Sequence, residues 1–213
     1  DSGEIGDVIN IESRIHGSRG IPSDWRGEKV HGGGMLYDWG IHLIDQMLMI
    51  FGFENVESVY CICDHITNQE VDDGFRLDLN FKNGQRATVE VGTYNFVSMP
   101  RFYALGEMGS AIIRDWTDKC EVVRCKEWYQ ANVTPVVTAA GLTKTMAPRT
   151  EDELLRKPIP SAPEDVKNFY RNYCAALEGK EEIIVKNSEV MRVMKLMEAC
   201  FRSYETGNAV DFE

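Results

Sequence analysis

The stretch Gly32-Gly33-Gly34-Met35-Leu36-Tyr37-Asp38-Trp39-Gly40-Ile41-His42-Leu43-Ile44-Asp45 joins a glycine run directly to a helical pattern. From position 36 to 51 the apolar residues recur at helical spacing. Ile41, Ile44, Leu48 and Phe51 form one row, and Leu43, Met47 and Ile50 form its neighbour. This predicts one helix over 36–51, with Gly52 as its stop. Asp38, His42, Asp45 and Gln46 share the opposite, narrower stripe. Asp38 and His42 are four residues apart, so they lie on one face about a turn apart. A carboxylate beside an imidazole is a proton-transfer pair. A polar stripe on an apolar helix is also the ordinary wet side of such a helix. Gly40 falls on the apolar side, where it costs about 1 kcal/mol against alanine. That implies a close approach by another part of the chain.

On either side the period changes. Residues 8–15 alternate, with Ile9, Ile11, Ser13 and Ile15 on one side, and read as a half-buried strand. A polar, Gly-rich loop carrying Trp25 and Arg26 fills 17–34. Strands are predicted at 57–64, 74–81, 85–93, 101–105, 110–115 and 121–126, paired in succession as an antiparallel meander. Lys82-Asn83-Gly84 supplies an Asn-Gly hairpin, a pair of residues that both accept positive φ. Four prolines mark 129–160 as one long irregular stretch. Ser161-Ala162-Pro163-Glu164 fits a capping box for a helix to about 178, and a last helix runs over 188–205. Its methionines (Met191, Met194, Met197) read as core. Helices and strands are segregated, which favours the α+β class.

The chain has 213 residues, 43% hydrophobic and 27% charged, an ordinary globular composition with material for a sizeable core. Its net charge of −11 and lack of a basic patch argue against nucleic acid as a partner. The sequence has no transmembrane run, no signal peptide and no zinc-ligand spacing. Six cysteines without a C-x-x-C pair read as buried, reduced thiols of a cytoplasmic protein. Cys61 and Cys63 are expected on opposite faces of their strand. His16 and His65 read as residues without partners.

At this point the residues resemble a known family. Gly33-Gly34-x-x-x-Asp38-x-Gly40-x-His42-x-x-Asp45 is similar to the signature of the Gfo/Idh/MocA oxidoreductases, the glucose-fructose oxidoreductase and inositol dehydrogenase group. Gly3-Glu4-Ile5-Gly6-Asp7-Val8 resembles the start of that family's C-terminal domain. Arg101-Phe102 through Gly106-Glu107-Met108-Gly109-Ser110 and the ending Ser203-Tyr204-Glu205-Thr206-Gly207-Asn208 resemble later parts of it. The family's glycine-rich dinucleotide fingerprint and its Glu-Lys-Pro motif do not occur; Arg156-Lys157-Pro158 lacks the glutamate. The chain also begins at Asp1 without methionine. The resemblance therefore implies residues 1–213 as a C-terminal domain alone, a fragment or processed product whose Rossmann domain is missing.

The resemblance further implies a large, mostly antiparallel sheet with helices on one face and a homo-oligomer formed through the other. It implies an oxidoreductase that uses NAD or NADP, bound mainly by the missing domain, on a secondary alcohol or ketone of a sugar, inositol or related polyol. His42 would be the acid/base, Asp38 would orient the site, and Asp45 would support the helix. Trp25, Arg26, Tyr94 and Arg101 are candidate substrate contacts, with Asn95, His31, Trp128 and Tyr129 nearby in sequence. No metal ligand is expected, and the fragment alone should be inactive. The alternatives within the same fold are an NAD-using glycosidase relative and a non-catalytic sugar-sensing or assembly protein.

Overall fold

The computed structural model describes residues 3–127, 135–146, 148–162 and 165–212. Trp128, Tyr129 and the Pro163-Glu164 half of the expected capping box lie outside them. Strands β1 (Val8–His16), β2 (Val56–Asp64), β3 (Gly74–Phe81), β4 (Arg86–Gly92), β5 (Phe102–Gly106), β6 (Gly109–Ile113) and β7 (Cys120–Cys125) fall where the alternation places them. With β10 (Leu154–Ile159) and β11 (Val210–Asp211) they form a nine-stranded sheet in the order β10-β7-β6-β5-β1-β4-β3-β2-β11. Two short strands, β8 (Val136–Val137) and β9 (Thr143–Lys144), pair separately.

Helices α1 (Ile41–Phe51) and α3 (Asn187–Thr206) supply the apolar cover for the sheet. Leu43, Ile44, Met47 and Leu48 of α1 and Leu196, Met197 and Cys200 of α3 are buried with Phe75, Leu77 and Leu79 of β3 and Val89 of β4. This is the expected α+β arrangement, a mostly antiparallel sheet with helices on one face. Of the three methionines placed in the core, Met197 is fully buried and Met194 packs against it, whereas Met191 is 56% exposed. Ser203, fully buried on α3, accepts the Cys61 amide at 2.9 Å and donates to the Asn208 carbonyl at 2.6 Å. It satisfies a β2 amide beyond the end of the short edge strand β11.

The pairing corrects the meander. β1 sits between β5 and β4, antiparallel to the first and parallel to the second, so β4 and β5 are not neighbours. Local alternation carries no information about such an insertion. The stretch read as irregular contributes β10, whose Pro158 is tolerated because the strand lies at the sheet edge. In the 82–84 turn only Gly84 takes a positive φ, 83°, so the loop is a three-residue turn with Gly in the left-handed position. Cys61 and Cys63 are both buried on the core face while Ile62 between them is 45% exposed. Residues two apart in a strand share a face, so the expectation of opposite faces was wrong. Hydrogen bonding to Cys200 and burial raise the Cys61 thiol above its usual range, and contact with Cys61 does the same for Cys63.

The helix predicted from position 36 begins as a π turn, Leu36–Gly40, and becomes α-helical at Ile41. Asp72 holds its start. Its carbonyl accepts the Met35 amide at 3.0 Å and its Oδ2 accepts the Leu36 amide at 2.7 Å. Gly34 has φ +114°, a conformation other residues rarely take. A Cβ on Gly33 would lie 2.3 Å from the Arg26 carbonyl oxygen. The close approach expected at Gly40 is made by the Phe75 ring, 3.1 Å from where a Cβ would stand.

Gly33→Ala should therefore push the 26–33 loop outward and cost on the order of 1–3 kcal/mol, measurable by urea unfolding; an unchanged midpoint would show that the contact yields freely. Asp72 gives a pH prediction. Burial pushes its carboxyl from 3.8 up to about 6. Between those values the folded chain holds a proton that the unfolded chain releases, so stability falls as pH rises through the window. The loss is complete above it, about 3 kcal/mol by linkage. Asp72→Asn keeps an acceptor for Leu36 and should flatten the dependence of Tm on pH between 3.8 and about 6. The variant should also be the more stable protein at pH 7. A slope equal to the parent's would refute burial as its cause.

Candidate functional site

The π turn puts Asp38 at the rim of a cleft of about 410 Å³. Its floor is the ends of β1 and β4, through Ile15, His16, Val91 and Gly92, which are paired Ile15 to Val91 and His16 to Gly92. Its walls include Arg19 and Arg26 from the Gly-rich loop and Asp38 and Trp39 from the turn. π turns insert one extra residue into a helix and occur often at functional sites.

Asp38 does not pair with His42. Arg26 Nε donates to Asp38 Oδ2 at 2.8 Å, and Arg26 Nη1 donates to Asp24 Oδ2 at 2.8 Å. The hydrogen bond to Asp38 raises the guanidinium further above its already high range. A fork held by two carboxylates is a fixed group rather than a searching one. The Arg26 guanidinium also lies over the Trp25 ring, 4.7 Å from its centroid. His42 is exposed, and its recorded contact is with the Trp39 ring, centroids 6.1 Å apart at 66°. The carboxylate–imidazole pair expected from spacing is thus replaced by an Arg26–Asp38 pair inside the cleft and an imidazole beside its aromatic wall. The arginine comes from a loop that helical periodicity does not cover.

Trp39 extends this wall. It meets Trp116 at 6.1 Å, and the Arg101 guanidinium lies 4.8 Å from the Trp116 centroid. Arg101 donates to Ser13 Oγ at 2.7 Å, and burial lowers its pKa. Arg101 is therefore fixed on β1, outside the residues that line the cleft. Tyr94 is 47% exposed against Phe96, also away from the lining. Trp25 is not among the described residues that line the cleft, and it meets Arg26, which is. Asp45 is half-buried on α1 and makes no hydrogen bond or ion pair among the described residues.

His16 was expected to be partnerless and is not. Its side chain is 1% exposed, with Nε2 3.1 Å from Glu90 Oε1. The Met99 amide donates to Nδ1 at 3.2 Å, which leaves the proton on Nε2, facing Glu90. Glu90 also accepts from Arg14 Nε at 3.2 Å. Sequence gave one signal for this group: Glu12, Arg14 and His16 alternate on one side of β1. Its partner is 74 residues away and has no local signature. Trp39 was readable only as a neighbour of Asp38, and Trp116 not at all.

Comparison with known proteins agrees with this architecture. The family model described as "Oxidoreductase family, C-terminal alpha/beta domain" matches residues 1–212. The uncharacterized oxidoreductase C115.03 of Schizosaccharomyces pombe is 26% identical over 225 residues, covering 99% of this chain and 61% of the relative. The solved structure of an NAD-binding protein from Listeria innocua superposes with a TM-score of 0.87 at 42% identity, covering 98% of this chain and 60% of that one. An oxidoreductase from Bacillus cereus shares the fold, with a TM-score of 0.69 at 19% identity over 99% of this chain and 59% of its own. The chain thus spans about three fifths of the length of the curated relatives it matches. With its sheet, its turn and the match over 1–212 in agreement, the chain belongs to the Gfo/Idh/MocA oxidoreductase family, within the family's C-terminal α/β domain.

Proposed function

We propose that this chain is the substrate-side domain of an NAD(P)-dependent oxidoreductase that interconverts a secondary alcohol and a ketone on a sugar, inositol or related polyol. The observation that carries the reading is Asp38, fixed by Arg26 at the rim of the cleft, with His42 beside the same Trp39 wall. An aromatic face with fixed hydrogen-bonding groups at its edge suits a hydroxylated ring. His42 is exposed and takes the hydroxyl proton on one ring nitrogen, while Asp38 and Arg26 orient the polyol.

The described residues do not fit the diphosphate of a dinucleotide. The one glycine run that opens a helix has its amides engaged: Gly34 with the Arg26 carbonyl, Met35 and Leu36 with Asp72. In this reading the dinucleotide is held by the part of the longer protein beyond this chain, and supplies the hydride acceptor when bound. Helix α2 (Lys167–Leu177) supports a neighbouring domain. It buries Asn172 but leaves Phe169, Tyr170, Tyr173 and Leu177 at 45–73% exposure. All six cysteines are free, in keeping with a reducing, cytoplasmic setting. Among the described residues no helix is long and apolar enough to cross a membrane.

Self-association belongs to the same reading, with a changed basis. A sheet face left uncovered by helices is expected to expose an apolar patch too large to stay wet. Around β1, β3 and β4 that face instead carries Glu12, Arg14, Glu90, Arg76 and Asp78 in ion pairs. Its apolar side chains are half-buried Tyr103, Leu105, Ile112 and Val123 on β5, β6 and β7, and, beyond the ion pairs, Tyr60 and the 45% exposed Ile62 on β2.

In the full-length protein His42→Ala should lower kcat by about 10²–10⁴-fold with a smaller change in KM; unchanged turnover removes the catalytic assignment. The 213-residue chain alone should show no NAD(P) binding by calorimetry, and measurable affinity would contradict the division of labour. By sedimentation the chain should be a dimer that Leu105→Glu dissociates. A monomer in the parent overturns the proposed interface.

A further inference from the structure

A second cleft, of about 390 Å³, lies on the other side of the π turn and shares no lining residue with the first. Its walls come from the end of β2, the 65–72 loop and the last turns of α3. Tyr37, which precedes Asp38, faces it and packs on Phe201 with centroids 5.0 Å apart. Tyr204 packs on His65 at 6.0 Å.

Two buried polar groups in these walls have unused capacity. His65 Nδ1 is buried without a hydrogen-bond partner. Such an atom has lost its water without replacement, a cost that a bound donor would relieve. The loop that carries His65 is tied down, since Asp73 accepts the amides of Ile66 and Asn68, both at 3.1 Å, and the ring itself rests against Tyr204. Asp72 is the second group. It is 6% exposed and forms no ion pair among the described residues. Asparagine would keep an acceptor for the Leu36 amide. The negative charge meets backbone amides but no cationic partner, and burying it is costly. Glu70 and Glu205 also line the cleft, against the single cation Lys29. Aromatic faces beside unneutralised carboxylates select a cation that also presents a hydrocarbon surface. No group of three His, Cys, Asp or Glu side chains among the described residues is placed to hold a metal ion, so the carboxylates do not converge on a point charge.

We propose that this cleft is a second ligand site, and that its ligand is a small organic cation bearing N–H groups, a primary amine or guanidinium. Asp72 accepts the charged N–H, His65 Nδ1 accepts a second N–H, and the Tyr37 and Tyr204 rings flank the hydrocarbon part. The site needs neither the dinucleotide nor the chemistry of the Asp38 cleft.

The test uses agmatine as the probe and N-butylurea, of similar shape but uncharged, as the control. Titration is followed by calorimetry and by the nitrogen shift of His65 Nδ1. Agmatine should bind saturably at one site and move the His65 resonance, and N-butylurea should do neither. Asp72→Asn, which keeps the turn's hydrogen bond, should weaken agmatine about tenfold or more while the chain stays folded. Tyr204→Leu, which leaves every carboxylate in place, should weaken it by a smaller factor. Absence of saturation, equal binding of N-butylurea, or full affinity in a folded Asp72→Asn chain would each overturn the proposal.

Discussion

One residue fixes the segment on which both clefts depend. Asp72 uses its backbone carbonyl on Met35 and its carboxylate on Leu36, so the first amides of the turn are satisfied from a single point. Gly33 and Gly34 are required on the approach because Arg26 and Asp72 leave no room for a Cβ. With the start pinned and the far end anchored by Leu43, Ile44, Met47 and Leu48 in the core, the π turn takes up the mismatch. Its side chains then divide: Tyr37 to one cleft, Asp38 and Trp39 to the other.

The second constraint is the insertion of β1 into the sheet. Parallel pairing with β4 sets His16 opposite Gly92 and brings Glu90 within reach of both Arg14 and His16. Antiparallel pairing with β5 sets Ser13 opposite Phe102, so that Arg101 reaches across to the Ser13 hydroxyl. The floor of the Asp38 cleft and the support of its aromatic wall therefore come from one strand that joins distant parts of the chain. The sheet is the scaffold, and the loops at the ends of its strands carry the polar groups.

What could be read from sequence follows the range of the forces involved. Period-two alternation and the apolar rows of α1 and α3 are local, and they placed seven strands and α3 to within two residues, and α1 at its C-terminal end. β10 escaped because its Pro and charged residues mask a strand at an edge, where such residues are tolerated. The π turn escaped because helical spacing assumes one period, and a single added residue changes direction without changing composition. The position of β1, the Glu90 partner of His16 and the Arg26 partner of Asp38 are contacts between residues that no local pattern couples. The Asp38–His42 spacing drew attention to the turn whose Asp38 and Trp39 line the cleft, but it could not say which cation holds the carboxylate.

That last substitution changes how the Asp38 cleft has to work. A carboxylate hydrogen-bonded to an imidazole would fix its tautomer and favour its protonated form. Here the carboxylate is committed to Arg26, and Arg26 is itself shared with Asp24. The three side chains form a short chain of alternating charge whose geometry is set before any ligand arrives. His42 is left without a hydrogen bond among the described residues, oriented by the edge of Trp39. The cleft thus separates two tasks that a direct pair would combine: Arg26 and Asp38 hold position, and the imidazole keeps both ring nitrogens available. In the proposed function, a proton would pass between His42 and a group brought against Trp39 without breaking the Arg26–Asp38 ion pair.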